Sequence, residues 1–209
     1  MPLMTHARTE LPAEYEEFAD FDLRGNPLNR RVSYILHFAS VIFFVPLFAA
    51  VAVAVRPGRP LDPVDLWAVS PAGLPQVGAV AALLLLIVAV LYLNGFLHAV
   101  VIRHLGGAEV ATESRRLRLL VAAPGSYLSK RLVLAQAAVP FFAISIAGAI
   151  VLSLVPDAAL SWAFLPLVAN GVISSRDILT LSRLLGLPRG TLIRLTVDGM
   201  ICYARIERS

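Results

Sequence analysis

Charged residues are scarce in this sequence. Only 15% of the 209 residues are charged and 58% are hydrophobic, whereas about a quarter of the residues in ordinary soluble domains are charged. A water-soluble chain of this length could not cover so much apolar surface. The composition therefore excludes an ordinary soluble domain and predicts an integral membrane protein that is one domain long.

Cysteines and signal-peptide features are also lacking. The single cysteine, Cys202, excludes an intramolecular disulfide. Residues 1–31 contain six carboxylates and no apolar run, which argues against a secretory signal peptide. The net charge is +4, but the arginines flank apolar segments, where they are better explained by orientation in a membrane. We therefore expect no nucleic-acid partner.

The sequence does contain several long apolar runs. A helix needs about 20 apolar residues to cross the hydrocarbon core of a bilayer. Four runs are candidates, and the last is too short to cross unaided. Either the next dozen residues extend it, or it is a partial span buried against the other helices. The predicted fold is an all-α membrane protein with about four transmembrane helices. The spans are expected at about 32–55, 77–102, 132–155 and 160–173.

Two β-hairpins are expected outside the spans. Residues 109–123 in the second loop are bounded by Gly-Gly and Pro-Gly turn signals, and an Asp-Gly pair separates two β-prone runs near the C-terminus. The predicted organisation is a polar cytoplasmic segment at 1–31, a helical membrane domain at 32–190 and a cytoplasmic C-terminal tail at 191–209.

The positive charges predict the orientation. With four crossings, all but two of the 18 lysines and arginines lie on the side of the N-terminus, the second loop and the C-terminus. The positive-inside rule makes that side cytoplasmic. We expect both termini in the cytoplasm and membrane lipid as a general partner.

Polar residues at membrane depth are costly, so each is a candidate for function. Asn94 and His98 lie four residues apart and share one face of the second predicted helix. Asn170 and Asp177 fall in and just after the fourth apolar run, and His37 is an outlier in the first. The spacing of Asn94 and His98 is that of the two ligands in an HExxH zinc helix.

Four segments in order carry a resemblance to a known family. They are LYLNGFLHAVVIRHLGG at 91–107, PGSYLSKRLVL at 124–134, NGVISSRDIL at 170–179 and GLPRGTLIRLTVDGMICY at 186–203. Together they resemble the putative zincin peptidases, a family of small prokaryotic membrane proteins usually compared with site-2 proteases. The resemblance implies an HExxH helix that ends in a Gly-Gly turn, a later aspartate ligand, and zinc as the cofactor.

The sequence departs from that family at two motif positions. Aligned on the Gly-Gly turn, His98 matches the second histidine and Asp177 the aspartate ligand, while Asn94 stands at the first histidine and Gly95 at the glutamate. Zinc hydrolysis needs three protein ligands and a base for the water. An amide oxygen is a poor zinc ligand and glycine takes no proton. We therefore expect no catalytic residue, and His98 and Asp177 are candidates for residual zinc binding only.

Structural roles compete with metal binding for each residue. His98 is either a hydrogen-bonded interior histidine or a residual ligand. Asn94 is expected to form a hydrogen bond between helices. For Asp177, capping of a following helix or pairing with an arginine is slightly favoured over metal binding.

Three functions follow from these features. The first is an inactive relative of an intramembrane zinc peptidase that binds or regulates a transmembrane protein or peptide. The second is an active metallopeptidase with an unusual site that uses His98 and Asp177. The third is a small transport or lipid-binding membrane protein with a polar cavity.

Overall fold

The protein forms a bundle of four long helices with small sheets at one end. The computed structural model describes residues 7–22, 27–58, 62–68, 76–115, 118–196 and 199–206. In this part of the chain all four helices are long and apolar enough to cross a membrane, as an integral membrane protein requires. The helices are α1 (Pro27–Ala54), α2 (Gln76–Gly106), α3 (Lys130–Leu154) and α4 (Leu160–Gly186).

Helix α4 is the centre of the bundle. The most apolar stretch of α4 is 56% buried, against 17–22% for the corresponding stretches of the other three helices. Helix α4 also packs against all three of them. The run that ends at residue 173 continues without interruption to Gly186. Helix α4 can continue through a polar stretch because Ser174 and Ser175 are buried among its neighbours and do not face lipid.

Glycines permit the closest helix contacts. Gly171 of α4 lies against Phe44 of α1, where an added Cβ would come within 2.7 Å of the ring. Gly148 of α3 faces Leu167 of α4 at the same distance. Small residues at such contacts let helix backbones approach closely in a membrane, where packing holds helices together.

The sheets use segments from both ends of the chain. A four-stranded antiparallel sheet has the order β1-β6-β5-β4, and β2 and β3 form a separate hairpin in the second loop. The two expected hairpins are therefore confirmed, while the N-terminal strand was not predicted. The strands are β1 (Tyr15–Asp22), β2 (Ala111–Arg115), β3 (Arg118–Ala122), β4 (Leu128–Ser129), β5 (Leu192–Leu195) and β6 (Gly199–Arg205).

The N-terminal segment, the second loop and the C-terminal tail meet at one end of the bundle. Strand β1 pairs with β6, and the backbone N–H of Ala7 donates to the carbonyl of Gly106 over 2.7 Å. Lys130 donates to the carbonyls of Leu185 and Leu187, which ties the start of α3 to the end of α4. These contacts build a compact end over the helices, and the candidate site lies beneath it.

Candidate functional site

Two helices, α2 and α4, bring the candidate residues together. Asn94, Gly95 and His98 lie on one buried face of α2, because residues three and four apart share a helix face. Asn170 and Asp177 lie on α4, two turns apart. Asp177 is thus inside a continuous helix, so the expectation that it caps a following helix is wrong.

His98 is held at both ring nitrogens. Its Nδ1 lies 2.7 Å from the amide nitrogen of Gln136 on α3, and its Nε2 lies 3.5 Å from Oδ2 of Asp177. When the Gln136 amide donates to Nδ1, the ring proton sits on Nε2 and faces the carboxylate. His98 therefore links α3 and α4 through polar contacts on either side.

Asn94, one helical turn before His98, forms a hydrogen bond with α4. Its amide nitrogen donates to Oδ1 of Asn170 over 2.9 Å and lies 3.5 Å from the hydroxyl of Ser174. Asn170 is fully buried and Asn94 nearly so. The hydrogen bond between helices that was expected for Asn94 is present. The Asn94 amide thus joins α2 to α4.

These residues border a cavity of about 170 Å³ under the four-stranded sheet. Asn94, His98 and Asp177 all line it, as does Gln136. Asn170 lies behind Asn94, and His37 is on α1, outside the cavity lining. The cavity thus brings together four of the predicted positions, since Gly95 also lines it, and the helices give it a polar floor. Its other walls come from β1, β3 and the β5–β6 hairpin, including Phe21, Leu119, Leu120, Val121, Leu195, Thr196 and Met200.

Gly95 is in direct contact with strand β3. A Cβ added at Gly95 would lie 2.5 Å from the carbonyl oxygen of Leu119 and 2.7 Å from its Cβ. Real Cβ atoms almost never come so close to another atom, and the obstacle is partly backbone, so it cannot rotate away. Any side chain at position 95 therefore requires α2 and β3 to move apart.

The residues present do not fit a catalytic zinc. The 3.5 Å between His98 Nε2 and Asp177 Oδ2 is close to the roughly 3.3 Å that separates two ligand atoms on a tetrahedral zinc. A third ligand is missing, because no group of three His, Cys, Asp or Glu side chains able to hold a metal occurs among the described residues. The amide oxygen of Asn94 is a poor zinc ligand beside imidazole or carboxylate, and no carboxylate occupies position 95.

Sequence reasoning overlooked Gln136. It is the sole large polar side chain in the apolar part of α3, within the third predicted span. That isolation was the available signal, since a polar residue inside a span usually faces the bundle interior. Leu119 carried no such signal, because its role depends on where the hairpin packs.

Comparison with known proteins gives one match. A family model described as "putative zincin peptidase" matches residues 87–192, which is about half of the chain and includes every residue of the polar floor. No curated protein matches the chain. No solved structure matches it either.

Proposed function

Since the chain belongs to the putative zincin peptidase family, we propose that it is a member that has lost peptide hydrolysis and acts by binding a partner polypeptide in the membrane. One observation carries the proposal. The two motif positions that would supply the first ligand and the base serve packing instead, with Asn94 bonded to Asn170 and Gly95 pressed on Leu119.

The chemistry of zinc hydrolysis supports this choice. A zinc-bound water attacks a peptide only if a nearby base takes its proton. In the family at large zinc would supply that nucleophile. Here His98 and Asp177 make contact with each other, and the cavity has no carboxylate at position 95. The pair of His98 and Asp177 is suited to hold α2 and α4 together, and the contact of His98 with Gln136 adds α3.

One edge of the β2–β3 hairpin is closed to a partner. The carbonyl of Leu119 meets Gly95, and the N–H of Ala123 donates to the carbonyl of Leu195 over 3.3 Å. Alternate residues of a strand direct their backbone groups to the same side. The outer side of β3 is therefore occupied at both ends by this chain's own atoms.

The other edge is available. Thr112 and Ser114 of β2 lie opposite Val121 and Leu119, so the alternation directs their N–H and C=O groups away from β3. Residues 111–114 are exposed, and among the described residues β2 pairs with no strand but β3. Such an edge binds an extended segment by adding a strand to the sheet. We propose an extended polypeptide segment as the partner.

Zinc content tests the loss of the metal site. We expect protein purified in mild detergent to contain far less than one zinc per chain by elemental mass spectrometry, with no further decrease in His98→Ala or Asp177→Ala. About one zinc per wild-type chain, lost in both variants, would instead support the active metallopeptidase with an unusual site. A tightly bound lipid or solute without metal would support the transport or lipid-binding alternative.

The backbone N–H of Thr112 provides a test of whether a partner adds a strand to the free edge of β2. A photoreactive amino acid at Glu113 is expected to cross-link a polypeptide in native membranes, and Thr112→Pro should abolish the cross-link because proline removes an outward N–H. Thr112→Val is the matched control, since it changes the side chain and keeps the N–H. A cross-link that survives Thr112→Pro would contradict binding at this edge.

A further inference from the structure

Strand β1 covers part of the cavity. Phe21 is the one residue of β1 in its lining, and the centre of its ring lies 5.1 Å from the guanidinium carbon of Arg183 on α4. Phe21 stands opposite Met200 of β6, which also lines the cavity. A segment from the start of the chain thus contributes to the wall above His98 and Asp177.

Strand β1 is held mainly by its backbone pairing with β6, which runs from Tyr15 to Asp22. It is the edge strand of its sheet and pairs with β6 alone within the described chain. Its register shifts between Glu17 and Ala19, and such a bulge interrupts the ladder. Only Ala19 and Phe21 of this strand pack on the core beneath the sheet. An edge strand with few buried apolar contacts belongs to the part of a fold that opens first.

The outward side of β1 is polar and exposed. Glu16, Glu17 and Asp20 are exposed to solvent, and the Phe18 ring is 44% exposed. These side chains favour water over the bundle, so they do not oppose separation of the strand from the sheet. Phe21 is therefore the main anchor of this strand at the cavity.

We propose that β1 is a movable cap, and that molecules reach His98 and Asp177 from the sheet side when Phe21 withdraws. The proposal concerns access alone, so it goes beyond the proposed function and holds for any occupant of the cavity. In the closed state the ring fills the gap between Met200 and Arg183. In the open state β5 and β6 stay paired, and the opening of the cavity widens.

The cap can be locked with the protein's own cysteine. Cys202 is fully buried in β6 directly opposite Ala19, and burial, followed by the nearby Asp20, raises the pKa of its thiol to about 11. Facing positions on antiparallel strands lie close enough for a disulfide. Ala19→Cys oxidised with Cys202 therefore holds β1 on β6, and a reductant releases it.

Access is measured at Thr180, which lines the cavity from α4. In a Cys202→Ala background, we expect Phe21→Ala to speed labelling of Thr180→Cys by a small maleimide about tenfold, the factor for losing one partly desolvated ring–guanidinium contact. Phe18→Ala is the control on the same strand and should leave the rate unchanged. Equal rates for Phe21→Ala and its parent would overturn the proposal.

The locked protein gives a second, independent readout. With Ala19→Cys and Cys202 oxidised, Thr180→Cys is the one free thiol, and its labelling is expected to be slow until reductant is added. Peptide mass spectrometry resolves the three positions after reduction. If position 180 labels as fast in the locked protein as in the released one, β1 does not control entry. This readout remains valid even where Phe21→Ala fails to fold.

Discussion

Gly95→Ala is expected to destabilise the protein by about 1–3 kcal/mol, the usual cost of overpacking a well-packed site. The added methyl group would lie 2.5 Å from the carbonyl oxygen of Leu119, so α2 and β3 must separate. In a mid-helix position alanine otherwise stabilises relative to glycine by about 1 kcal/mol. The predicted sign is thus opposite to that of helix propensity, which makes the result diagnostic of the contact.

Gly78→Ala is the matched control on the same helix. Nothing lies within 4 Å of a Cβ built at Gly78, so this variant should be neutral or slightly stabilising. Thermal unfolding of the two variants in one detergent measures the difference. If Gly95→Ala is as stable as Gly78→Ala, the hairpin yields easily and the contact with Leu119 does not exclude larger side chains.

The contact between Gly95 and Leu119 also limits what substitution to an HExxH sequence can achieve. Asn94→His with Gly95→Glu would create HExxH in the sequence, but a glutamate must displace Leu119 before it can face the cavity. We therefore expect the double variant to be less stable than wild type and to show no zinc-dependent peptidase activity. Activity in the double variant with β2–β3 unchanged would contradict this view of the site.

The spans were predictable because apolar length alone determines them. The end of the fourth was left open between residue 173 and the dozen residues after it, since hydropathy alone does not show whether a polar stretch lies inside the bundle. Here Ser174 and Ser175 are buried, and Arg176 and Asp177 line the cavity. The polar stretch that seemed to end the span is the inner face of α4. Only the packing of α4 among three neighbours reveals this.

The residues of the site that lie on one helix face were predictable from the sequence. Helical spacing placed Asn94 and His98 on one face, and the family resemblance added Asp177. The contacts with Gln136 and Leu119 depend on which elements pack together, and local spacing has no information about that. Strand β1 was missed for a related reason. Its sequence has no regular alternation, and its partner β6 lies at the far end of the chain, so the pairing is a tertiary one.

Arg56 is the second position where a large effect is expected. Its side chain is 2% exposed and donates to the carbonyls of Leu152 and Val155 over 3.1 and 2.9 Å, and it pairs with Asp157. The last carbonyls of a helix have no partner within the helix. Arg56 therefore caps the end of α3 from the first loop, at the end of the bundle opposite the sheets.

Replacing this arginine with methionine keeps the side chain's bulk and removes its donors. We expect Arg56→Met to destabilise the protein by about 3 kcal/mol, because one buried and one partly buried carbonyl lose charge-assisted hydrogen bonds. The exposed Arg189 provides the control, and Arg189→Met should stay within about 0.5 kcal/mol of wild type. Thermal or denaturant unfolding in detergent measures both.

Asp157→Asn separates the cap from the ion pair. The Asp157 side chain is 60% exposed, so solvent screens its attraction to Arg56, and its loss should cost no more than about 1 kcal/mol. The guanidinium would still hold the carbonyls of Leu152 and Val155. If Asp157→Asn proved as destabilising as Arg56→Met, the ion pair and not the helix cap would be what stabilises this end of the bundle. A small effect of Asp157→Asn beside a large one of Arg56→Met would show that the first loop is held by the backbone of α3.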